Sequence, residues 1–135
     1  MEKRERILRA VTLGEETRHV FVATADARGL PHVAAAGRIE LSSEGRVGVS
    51  AWFCPGTVLN VQQNRRIALV VWEAARDQGY QLLGEVEDLQ ETAFMDGYVP
   101  HLEKQPPPPQ VERRLVVRVD KVLNFTHAPH GDQEE

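Results

Sequence analysis

The chain has 135 residues, 41% hydrophobic and 27% charged, with a formal net charge of -4. That length suits one domain with one core, and the composition excludes disorder of the whole chain. The acidic balance, with a sequence pI near 5.7, argues against a general nucleic-acid binder, which needs clustered positive charge. Cys54 is the one cysteine, so no intrachain disulfide can form. No apolar stretch is long enough for a signal peptide or a bilayer span, and a cytoplasmic location is expected by default.

In chain order, Glu2 to Glu16 reads as a helix in which Ile7, Leu8 and Val11 share a face and Gly14 marks an early end. Lys3, Arg4, Arg6 and Arg9 mix with Glu2 and Glu5, as on a solvated face. His19 to Ala25 has strand composition. Asp26-Ala27-Arg28-Gly29 is a turn. Pro31 to Leu41 then alternates as a single strand, with Val33, Ala35, Gly37, Ile39 and Leu41 on one side. Ser42 to Gly45 turns into a third strand, Arg46 to Phe53, broken by Cys54-Pro55-Gly56. A short helix follows from Thr57, as N-cap, to Asn64. Arg66 to Trp72 contains a continuous apolar run that suits a strand covered on both faces. After the polar loop Glu73 to Gln78, Gly79 to Leu89 forms a strand, with Gly84 at a bulge or bend. Glu91 to Tyr98 suggests a short helix. Pro106 to Pro109 form a stiff polyproline piece, and Arg114 to Phe125 the closing strand.

Six short strands at close spacing predict a mainly β fold, an antiparallel barrel with short flanking helices. Residues 1–125 form the expected domain, and 126–135 a polar, loose tail.

Three stretches carry a resemblance: Val20-Phe21-Val22-Ala23-Thr24-Ala25-Asp26 with Gly29-Leu30-Pro31-His32-Val33; Thr57-Val58-Leu59-Asn60 with Asn64-Arg65-Arg66-Ile67-Ala68-Leu69-Val70; and Gly79-Tyr80-Gln81-Leu82-Leu83-Gly84-Glu85-Val86. Their order and spacing resemble the pyridoxamine 5'-phosphate oxidase-like, flavin-binding split barrels. The resemblance implies a six-stranded split β-barrel and a homodimer with flavin mononucleotide (FMN) in clefts between the subunits. It also implies a small-molecule substrate or nicotinamide as the redox partner, while the acidic charge balance and the lack of an apolar span point to neither nucleic acid nor membrane.

The same resemblance suggests the site residues. Arg38 is the main candidate for the FMN phosphate; its other reading is an exposed strand arginine paired with Glu40 or Glu85. Thr57 either contacts phosphate from the helix start or serves only as an N-cap. Asn60 either contacts ligand or bonds the backbone of a neighbouring strand. Ser50, Ala51, Trp52 and Phe53 end the third strand where the family's flavin ring passes, the aromatics serving as ring wall, core or dimer contact. Gln81 matches a flavin-contacting position on the fifth strand.

Gly56 stands where many flavin-binding members have a basic residue, so the phosphate site would lean on Arg38 and backbone donors. The basic C-terminal pattern that oxidases use for pyridoxamine phosphate is not recognisable. Cys54 is read as a redox-sensitive thiol or a small buried turn residue. His127 and His130 read as a metal-binding pair, completed by His32 or His101, or as a disordered or dimer-packed tail. Three functions compete: a flavin-dependent oxidoreductase, a flavin-binding electron-carrying module, and a cofactor-free dimer used for interaction. Haem and deazaflavin are further ligands of related barrels.

Overall fold

A computed structural model describes residues 2–51, 55–95 and 110–134 of the chain. Trp52, Phe53, Cys54, His101 and the run Pro106 to Pro109 lie outside the described residues, as do the last residues of the helix expected at Glu91 to Tyr98.

Helix α1 (Lys3–Thr17) precedes strands β1 (Val20–Ala25), β2 (Pro31–Ala36), β3 (Arg38–Leu41) and β4 (Arg46–Ala51). Helix α2 (Pro55–Gln63) is followed by β5 (Arg66–Glu73), β6 (Gln78–Met95) and β7 (Gln110–Asn124). All seven strands form one antiparallel sheet, in the order β2-β1-β5-β6-β7-β4-β3. Its two edge strands, β2 and β3, are consecutive in sequence, separated by Gly37 alone. A one-residue link between opposite edges requires the sheet to curl until those edges meet. That curl produces the split barrel.

The structure corrects the sequence reading at several points. Pro31 to Leu41 is two strands, so the barrel has seven rather than six. Gly37 breaks the alternation: Ala36 turns inward on β2 but Ile39 on β3, leaving Val33 63% and Leu41 49% exposed. The segment after Leu89 continues β6 to Met95 instead of forming a helix. It pairs with β7 on one side, with a register shift between Glu91 and Ala93, and that ladder holds it extended. Finally, β5 is buried on one side only: Ile67, Leu69 and Val71 are core, while Ala68 and Val70 on its outer side are half-buried.

The expected bulge at Gly84 is present as a register shift between Leu83 and Gly84. A Cβ there would run into the Arg118 backbone, so glycine permits the close strand approach.

Helix α1 buries Ile7, Ala10, Val11 and Leu13, with Leu8 turned to solvent. Gly14 does not end it. The helix runs on to Thr17 and closes with Arg18 in the left-handed region at φ 60, whose N–H donates to the Gly14 carbonyl at 2.9 Å. Gly14 instead lets α1 lie close to β3 and β5, since a Cβ there would strike Ile39 and press on Val71. Buried Arg6 donates to the Val122 carbonyl and to Asn124 Oδ1, both at 2.8 Å, tying the helix to β7. Val20, Val22, Val47, Val49, Leu69, Leu82, Leu115 and Val117 fill the barrel interior.

The tail is fastened rather than loose. Asp77, left-handed at φ 49 in the β5–β6 turn, accepts from the His127 N–H and from Trp72 Nε1, both at 3.0 Å. Asn124 N–H donates to Gln133 O, and Thr126 N–H to Gly131 O.

Candidate functional site

On β3 and β4 the inward positions are Ile39, Val47 and Val49, so alternation turns Arg38, Glu40, Gly48 and Ser50 to the outer side. Arg38 lies opposite Ser50, and Ser50 lies opposite Arg114 on β7. One row across three strands therefore reads guanidinium, hydroxyl, guanidinium, at the close spacing of cross-strand pairs. An open cleft of about 410 Å³ begins there, lined by Ala35, Gly37, Arg38, Ser50, Ala51 and Glu112. Gly37 leaves the barrel seam free of a side chain, and Ala51 keeps the cleft wall small. A forked cation beside a hydroxyl is a donor set suited to a phosphate monoester.

The Arg38 side chain is 72% exposed, and its Nη2 lies 3.7 Å from Glu40 Oε2. It thus makes the surface pairing with Glu40, while Glu85 pairs with Arg118. Such an exposed pair is worth little and yields readily to a stronger anion. Arg114 went unnoticed in the sequence reading because it sits inside the closing strand. Only the β4–β7 register reveals it as Ser50's neighbour.

The other predicted residues divide. Ser50 and Ala51 join Arg38 at the cleft. Thr57 and Asn60 lie on α2, which begins at Pro55, so Thr57 sits inside the helix rather than at its N-cap. A proline opening a helix loses no hydrogen bond, since the first N–H groups have no intrahelical acceptor. Thr57 is 1% exposed. Asn60 Nδ2 donates to Thr24 Oγ1 on β1 at 3.1 Å, a bond to a neighbouring strand's side chain rather than to its backbone. His32 faces Thr24 across β1–β2, with its Nδ1 buried and unpartnered among the described residues. Gln81 is fixed in register with Val70 and Leu123, on the outer side of β5–β6–β7. The structure does not bring it to the cleft.

A larger groove, about 730 Å³, separates the start of α1 from the β3–β4 turn. It mixes Lys3 and Arg4 with Glu2, Glu5 and Glu44, so it offers no consistent charge to a ligand. Among the described residues, no three His, Cys, Asp or Glu side chains are grouped to hold a metal. No described helix is long and apolar enough to cross a membrane.

The sequence profile of pyridoxamine 5'-phosphate oxidase matches residues 9–125. The chain belongs to that family. The match spans α1 from its middle through β7, including the whole Arg38–Ser50–Arg114 row. No curated protein matches the chain. Among solved structures, Group A Streptococcus HupZ superposes with a TM-score of 0.65 at 18% identity, covering 95% of this chain and 98% of its own. An FMN-binding protein from Syntrophomonas wolfei gives 0.60 at 15% identity, covering 89% and 86%. HutZ, the heme storage protein of Vibrio cholerae, gives 0.54 at 14% identity, covering 93% and 95%. At such identities the likeness establishes the split-barrel fold.

Proposed function

We propose that this family member binds FMN at the Arg38–Ser50 cleft and works as a flavin-dependent oxidoreductase, assembled as a homodimer. The observation that carries the reading is the cross-strand pair itself: an exposed guanidinium and a hydroxyl side by side at the mouth of a cleft, in a family of phosphate-bearing ligands. The FMN-binding relative with the same fold supports flavin as that ligand.

In this reading Arg38 exchanges Glu40 for the phosphate, which carries more charge and presents a better match to the guanidinium fork. Ser50 donates its hydroxyl to a second phosphate oxygen. Bound flavin supplies hydride and electron transfer, so the chain needs to hold, orient and shield rather than provide a nucleophile. A small substrate or nicotinamide is the partner in electron exchange.

The homodimer accounts for the apolar residues on the outer side of the sheet. Phe21 pairs with half-buried Val70 across β1–β5, and exposed Val33, opposite Ala23, lies on the same side of β2, with Leu30 just before β2 and Leu59 on α2 also exposed. A second copy would cover them and close the flavin cleft. Half-buried Trp72 bonds Asp77 through its indole N–H and packs edge-on against Phe125.

The test is the visible spectrum of the purified protein, followed by titration with FMN and an assay of nicotinamide oxidation. A flavin spectrum, or saturable FMN binding with turnover of reduced nicotinamide, supports the reading. Binding without turnover leaves an electron-carrying module. A haem spectrum with no affinity for FMN overturns the proposal.

A further inference from the structure

Glu40 is shared unequally by two arginines. Arg114 Nε donates to Glu40 Oε1 at 3.0 Å, whereas Arg38 Nη2 stands 3.7 Å from Glu40 Oε2. The first is a charge-assisted hydrogen bond and the second a loose pair. Exposure follows the same order, 19% for the Arg114 side chain against 72% for Arg38.

The cause lies at Gly48. Arg114 starts beside Ser50 on β7 and must cross β4 to reach a carboxylate on β3. It crosses over Gly48, the residue opposite Glu40 in the β3–β4 register. A Cβ built at Gly48 would overlap the guanidinium, so the absent side chain is the seat in which it lies. From the other side, Arg114 Nη1 donates to Gln90 Oε1 on β6 at 3.4 Å.

We propose that Arg114 is a positioning residue: seated over Gly48, it retains Glu40 and thereby leaves the Arg38 guanidinium available to a phosphate monoester. The inference rests on the reading of Arg38 as the phosphate ligand. A carboxylate and a phosphate compete for the same guanidinium fork. With Arg114 displaced, Glu40 has Arg38 as its remaining cation on β3, and an incoming phosphate must break a tighter pair. The neutral row of Ser50 alone would not hold the anion.

FMN and riboflavin share the ring and differ in the phosphate, so the ratio of their affinities isolates the phosphate contribution. Gly48→Ala keeps every charge while filling the seat; the clash is with the end of a flexible side chain, which can move away. It is expected to lower FMN affinity about two- to fivefold, the range of an exposed ion pair, with riboflavin unchanged. Glu40→Gln is expected to raise FMN affinity by a similar factor and to abolish the effect of Gly48→Ala in the double variant. Arg114→Gln is the second route to the same displacement if Gly48→Ala does not fold. An unchanged ratio in Gly48→Ala and Arg114→Gln, with a lowered ratio in Arg38→Ala, overturns the role of Arg114 and spares that of Arg38. An undiminished loss in the Glu40→Gln background overturns it too, because the effect would not run through Glu40. An unchanged ratio in Arg38→Ala overturns the phosphate reading itself, and the inference with it.

Discussion

At the scale of single residues, Asp77 shows how one side chain fastens a terminus. Desolvation alone would raise its carboxyl pKa. The His127 N–H, the Trp72 indole N–H and the nearby His127 ring outweigh that and hold it below the ordinary 3.8. A carboxyl whose folded pKa is depressed contributes stability above its unfolded value, and loses it as pH falls through the folded value. The tail is therefore expected to stay docked at neutral pH and to release under acid, below about pH 4. Trp72 fluorescence should report this as a transition that Asp77→Asn removes. Glu87 behaves in the same sense, since the hydrogen bond from Arg46 lowers its pKa. Arg6 illustrates the opposite economy: a buried guanidinium bonded to a carbonyl and an amide oxygen, with no carboxylate bonded to it among the described residues. Arg6→Ala leaves a gap under α1 and unpairs the Val122 carbonyl, so a loss of about 1–3 kcal/mol is expected in urea denaturation.

At the scale of elements, glycine positions carried more than one meaning, and the sequence alone did not separate them. Gly14 looked like a helix stop but is a packing contact against Ile39 and Val71. Gly14→Ala, ordinarily favourable within a helix, is expected to destabilise by about 1–3 kcal/mol through overpacking, measured by chemical denaturation. Gly37 looked like an inward strand position but is the seam where the two sheet edges meet. Its effect was hidden because the alternating pattern continues through it on both sides. The Gly84 bulge was legible, since an isolated glycine in a strand has few other uses. The extension of β6 past Leu89 was not. Gln90, Glu91 and Thr92 lack a strand's apolar alternation, and pairing with β7 decides their conformation.

At the scale of the whole molecule, hairpin turns and strand spacing were enough to predict an antiparallel barrel. They could not give the strand order, which depends on contacts far apart in sequence. The site shared that division. Arg38 and Ser50 were legible from the polar side of their strands together with the family resemblance. Arg114, Gly48 and the burial of Thr57 depended on register and packing. The exposed apolar residues Phe21, Val33 and Leu59 lead to a prediction at this scale. The protein is expected to sediment as a dimer, and Phe21→Glu combined with Val33→Glu is expected to shift it to monomer with loss of FMN affinity. Sedimentation velocity checks the first part, and flavin titration of the same sample the second.

The central claim is that Arg38 holds the phosphate of a flavin nucleotide. Calorimetric titration of the native protein and Arg38→Ala with FMN and with riboflavin tests it most directly. Native protein is expected to prefer FMN, and Arg38→Ala to lose about tenfold or more of that preference, the cost of a charge-assisted hydrogen bond, with riboflavin affinity little changed. Equal affinity of the native protein for the two ligands, or a preference that survives Arg38→Ala, would contradict it.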